Sequence, residues 1–129
     1  MAGYSGTSLA VKLGVKPGLR VLIDGAPDGF ALDGVDAHRR AAGGDYDVIL
    51  CFCPDLARLR RRWPVLHRRT PPAGALWIAW PKRASGVATD LTEDVIREYA
   101  LTHGRVDVKV CAVDTTWSAL KHVIPSADR

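Results

Sequence analysis

The chain has 129 residues, 47% of them hydrophobic, and a formal net charge of +4. That length supports one domain with a real core and excludes two ordinary ones, so residues 1–129 read as a single domain. No apolar run approaches the roughly 20 residues of a membrane span, and Met1 to Lys16 lacks the pattern of a signal peptide. The expected setting is the cytoplasm, with no membrane partner.

In chain order, Tyr4 to Gly14 predicts a short leading helix, with Ser5 or Thr7 as cap and Leu9, Ala10 and Leu13 as its apolar stripe. Pro17 and Gly18 end that segment, and Arg20 to Asp24 predicts a first buried strand, followed by the turn Gly25 to Gly29. Gly34 to His38 reads as a short strand at a sheet edge. Tyr46 to Cys53 is rich in β-forming residues between Gly and Pro and predicts the clearest strand.

Pro54-Asp55 opens an arginine-rich helix in which Leu56, Leu59, Trp63 and Leu66 recur at helical spacing. Pro64 predicts a kink or a division into two short helices. Ala75 to Trp80, ending at Pro81, reads as a strand buried on both faces. A helix over Leu91 to Thr102 follows, stopped by Gly104. Val106 to Val113 and Trp117 to Ile124 then flank Asp114, a turn former, as an antiparallel hairpin, and the tail after Pro125 is expected to fray. Leu22, Ile49, Phe52, Trp77, Ile78 and Val110 are the expected core. The alternation predicts an α/β three-layer sandwich, mostly parallel, with a C-terminal antiparallel hairpin.

Candidate function concentrates after the third strand. Lys82 and Arg83 lie side by side, followed by Ser85, Gly86, Thr89 and then Asp90-x-x-Glu93, which reads as a capping box opening a helix. Cations beside helix N–H groups at a strand's carboxyl end suit an anion, with Trp80 and Trp117 as candidate walls. The ligand class expected is an anionic small molecule such as a nucleotide, and the plain alternative is a solvated turn. Asp90 also argues the other way, because its carboxylate would occupy the donors itself.

Arg58, Arg60, Arg61, Arg62, Arg68 and Arg69 concentrate the basic charge on one helical stretch, which offers nucleic acid a second partner surface or is simply a solvated face. Cys51, Cys53 and Cys111 fall in predicted strands and read as reduced packing thiols, with no metal site expected. A zinc set from these thiols and a histidine, or a triad of Ser85, Asp90 and His103 or His122, is weaker. Neither has the local motif its chemistry requires.

The segments YSGTSLAVKLGVKPG, LWIAWPKRASGVATDLTED and KVCAVDTTWSALKHV resemble a family of small bacterial proteins classed as a domain of unknown function. That resemblance implies no activity and no cofactor. A looser likeness, of topology only, is to class I S-adenosylmethionine-dependent methyltransferases, which also end in a helix and an antiparallel hairpin. It implies a truncated methyltransferase-like fold, a glycine-containing cofactor turn at Asp24 and Gly25, and an acidic partner at Asp36. The expected function is a binding or regulatory module for an anionic small molecule; the alternative is a degenerate methyltransferase-like enzyme.

Overall fold

The computed structural model describes residues 8–128, so the expected caps Ser5 and Thr7 lie outside the described residues. The leading helix α1 spans only Leu9–Lys12, with Ser8 as its cap, accepting from the Val11 N–H at 3.2 Å. Strands β1 (Val21–Asp24), β2 (Val48–Phe52) and β3 (Ala75–Pro81) are buried throughout. Their continuous apolar runs are what a parallel sheet covered on both faces demands.

Helix α2 (Leu56–Arg68) links β2 to β3, and α3 (Glu93–Thr102) leads into the hairpin of β4 (Val106–Ala112) and β5 (Trp117–Val123). The Asp114 side chain accepts from the N–H groups of Thr116 and Trp117, both at 2.8 Å, and so closes the turn. The sheet order is β1-β2-β3-β5-β4, parallel through β3 and antiparallel thereafter. The α/β sandwich with a terminal hairpin is therefore present, with the last strand inside the sheet and β4 at its edge.

That order corrects one core assignment. Leu22, Ile49, Phe52, Trp77 and Ile78 are fully buried, but Val110, on the edge strand β4, is 49% exposed. Three local expectations also change. Residues 34–38 form a single bridge, His38 to Leu22, rather than a strand. Helix α2 is not divided at Pro64, which is exposed together with Arg60 one turn earlier, so the carbonyl deprived of its N–H partner faces water. The tail forms a 3₁₀ turn at Ser126–Asp128 instead of fraying.

Side chains alternate across the strands and divide the core in two. On one face Leu22, Ile49, Leu76, Ile78 and Leu120 meet Leu59, Trp63 and Leu66 of α2 and Ile96 and Ala100 of α3. On the other, Val21, Leu50, Phe52 and Trp77 meet Leu13 and the irregular segment carrying Phe30, Leu32 and Val35. One outer layer is thus helical and the other mostly loop. The Trp77 indole N–H donates to the Leu13 carbonyl at 3.1 Å, which ties the end of α1 to the central strand.

Candidate functional site

Beyond the carboxyl end of β3 the chain turns sharply. Lys82 leads into a 3₁₀ turn at Arg83–Ser85, and Gly86 ends it at φ 75°, a left-handed conformation that favours glycine. Ser85 is consumed by this turn: its hydroxyl donates to the Lys82 carbonyl at 2.7 Å and accepts from the Val87 N–H at 3.2 Å. The turn forms one wall of a cleft of about 580 Å³. Trp80, Val87 and Ala88 supply its apolar lining, Lys82 and Arg83 its cations, and Leu91, Thr92 and Glu93 at the start of α3 the facing wall.

Of the residues expected there, Trp80, Lys82, Arg83, Gly86 and Thr89 line the cleft, whereas Ser85, Asp90 and Trp117 do not. Trp117 is on the opposite face of the sheet, edge-on to Phe52 with ring centroids 5.1 Å apart, because neighbouring strand positions point to opposite sides. Its neighbour Ser118 takes the place in the cleft. Thr89 is also a brace, donating to the Pro54 carbonyl at 2.7 Å.

Asp90 does not cap the helix that follows it. Thr92 caps α3, accepting from Val95 at 3.2 Å, while Asp90 accepts from the N–H of Leu56, the first residue of α2, at 2.8 Å. The donors that Asp90 was expected to block therefore stay open: the N–H groups of Glu93 and Asp94 have no partner within α3. Glu93 is the one carboxylate on the cleft wall, and it pairs with Arg97 one turn further along. Lys82 and Arg83 make no ion pair among the described residues.

The turn after β1 is built differently. Asp24 is only 6% exposed and accepts from Arg58 at 2.9 Å, from Arg62 twice at 3.1 Å, and from the Cys51 thiol at 3.3 Å. Gly25 has φ 70°, and a Cβ there would sit 2.2 Å from Nη2 of Arg58. Glycine is used at this turn to admit an arginine of the same chain, and the position implied for a cofactor is filled by that guanidinium. Asp36 lies on a separate groove with Val15, Lys16 and Asp33, away from Asp24.

The arginine face of α2 is accordingly split. Arg58 and Arg62 turn inward to Asp24, Arg69 donates to the Gly44 carbonyl at 3.0 Å, and Arg60, Arg61 and Arg68 are exposed. Together with Arg39 and Arg40, the inward-turned residues border a second cleft of about 480 Å³ around Asp24. Sequence reasoning missed this convergence, since Arg39 and Arg40 carry no signal that places them against α2.

The remaining chemistries lose their geometry. Cys51 and Cys53 have their sulfurs 3.6 Å apart on the helical face, whereas Cys111 packs on the other face. All three are free thiols. The Cys51 thiol is pushed well above its usual value, first by its hydrogen bond with Cys53 and then by burial, so it stays protonated and is a poor nucleophile. His103 stacks on Tyr99 and His122 is buried against the Leu76 carbonyl, so neither histidine meets Ser85 or Asp90. Among the described residues no group of three or more His, Cys, Asp or Glu is placed to hold a metal ion, and no helix is long and apolar enough to cross a membrane.

No protein-family model and no curated protein matches the chain.

Proposed function

We propose that the protein is a binding module for an anionic small molecule of nucleotide type, held in the cleft beyond β3. One observation carries this reading. Lys82 and Arg83, without ionic partners among the described residues, face the N-terminal turn of α3 across a cleft that also has an apolar wall at Trp80, Val87 and Ala88.

Two side-chain cations and the N–H groups of Glu93 and Asp94 supply attraction and direction for a phosphate or carboxylate. The apolar wall supplies contact area for the rest of the molecule. Arg97 holds the Glu93 carboxylate and so lowers its repulsion of an incoming anion. The occupied turn at Gly25 favours this cleft over the first-strand position that a methyltransferase-like reading needs.

A thermal-shift screen across nucleotides and phosphorylated metabolites tests the reading. A hit is expected to raise the melting temperature of the wild type. Replacing both Lys82 and Arg83 by Ala is expected to weaken that ligand by about 2 kcal/mol or more, roughly thirtyfold, with little change in the unliganded melting temperature. No shift for any anion, or equal shifts in wild type and double variant, would refute it.

A further inference from the structure

The cleft around Asp24 concentrates positive charge. Arg39, Arg40, Arg58, Arg62 and Arg69 border it, against the single carboxylate of Asp24. Arg58 and Arg62 come from one face of α2, Arg69 from the residue that caps its C-terminal end, and Arg39 and Arg40 from the segment that follows the His38 bridge, so the fold, not a run of sequence, brings them together.

Four of the five guanidinium groups are held in place. Arg58 donates from Nε to the Phe52 carbonyl at 2.9 Å and from Nη2 to Asp24, and Arg62 uses Nε and Nη2 on Asp24. Arg69 spends Nη1 on Gly44 and Arg39 spends Nη2 on Phe30. Nη1 of Arg58 and of Arg62 makes no hydrogen bond among the described residues, and Arg40 makes none with its side chain. Arg58 and Arg62 are 24% and 26% exposed, so two partly desolvated cations share one carboxylate.

We propose that this cleft is a second anion site, independent of the one beyond β3, and that it takes a compact phosphate-type oxoanion. Guanidinium groups fixed by one edge present the other as a planar donor fork, which matches phosphate oxygens. Excess positive charge in a concave, partly desolvated place is relieved by a multiply charged anion. The lining contains only Ala41 and Val65 as apolar residues and no aromatic ring, so it offers a nucleobase no aromatic stacking platform and little apolar contact. A compact polyanion fits this cleft better than a nucleoside or an extended single strand.

Inorganic pyrophosphate titrated calorimetrically into the intact protein at low salt is the probe. Binding is expected in the wild type and is expected to persist in the variant Lys82→Ala with Arg83→Ala, in which the other cleft has lost its cations and this site is read alone. Arg40→Glu, at a side chain with no internal bond, is expected to weaken it at least about tenfold, the scale of one charge-assisted hydrogen bond. Arg62→Lys, which keeps the charge and loses the fork, is expected to weaken it with the protein still folded by circular dichroism. Absence of pyrophosphate binding in the wild type would overturn the proposal. So would loss of binding in the Lys82 and Arg83 variant with Arg40→Glu unaffected. Salt-sensitive binding of duplex DNA that pyrophosphate fails to displace would also overturn it, assigning the arginines to a nucleic-acid surface instead.

Discussion

Arg62 grips Asp24 with two parallel hydrogen bonds, Nε to Oδ2 and Nη2 to Oδ1, each 3.1 Å long. Arg58 adds a third from the same helix at 2.9 Å, so one carboxylate at the end of β1 anchors two turns of α2. Without Asp24 both cations would remain partly buried with no carboxylate to meet them.

Asp24→Ala is therefore expected to destabilise the protein by about 2 kcal/mol, less than a fully buried pair because each arginine keeps some contact with water. Asp24→Asn, which retains an acceptor and loses the charge, should cost less. Urea unfolding measures both. A change below about 0.5 kcal/mol for Asp24→Ala, the range of ordinary surface substitutions, would show the pairing to be marginal.

The folded protein should lose stability in mild acid. His122 is fully buried, with Nδ1–H donating to the Leu76 carbonyl at 3.1 Å, and burial pushes its pKa down to about 4. His67 is lowered too, by burial and by Arg105, whose Nε donates to His67 Nδ1 at 2.9 Å. Both rings are held neutral in the fold, while in the unfolded chain they take up a proton near pH 6.5. Below that pH the unfolded state binds more protons, so stability falls as pH drops. The His122 contribution levels off only near pH 4. Each such group costs about 1.4 kcal/mol per pH unit within its window. Denaturant midpoints between pH 7.5 and pH 4.5 should fall less steeply in His122→Leu than in the wild type, and parallel slopes would contradict the assignment.

Much of this architecture is legible in local sequence. Val21 to Ile23, Val48 to Phe52 and Ala75 to Pro81 announce themselves as unbroken apolar runs, and Asp114 marks the hairpin turn. What depends on partners far along the chain is not legible. Arg58 and Arg62 are 34 and 38 residues from Asp24, so composition shows a basic helix but not which arginines turn inward. Val110 has the residue type of a core strand and is half exposed on β4, whose place at the sheet edge follows from the pairing of β5 with β3. The cleft beyond β3 falls between, since Lys82 and Arg83 are visible as a pair while the removal of Trp117 to the other face follows from strand register.

Asp90 gives the sharpest separation of local from tertiary reading. By its spacing to Glu93 it belongs to a capping box on α3, in which case removing it would loosen the first turn of that helix. Its carboxylate instead accepts from Leu56 at the start of α2, where Asp55 already accepts from Arg58 at 2.9 Å, so two aspartates close one helix end and Thr92 closes the other. Asp90→Ala and Thr92→Ala are each expected to cost about 1 kcal/mol, as helix caps do, and to do so additively, because they act on different helices. Amide chemical shifts distinguish them: Asp90→Ala should move Leu56 and leave Val95 in place, and Thr92→Ala should do the reverse. A shift of Val95 in Asp90→Ala, with Leu56 unmoved, would restore the capping box and detach the turn beyond β3 from α2.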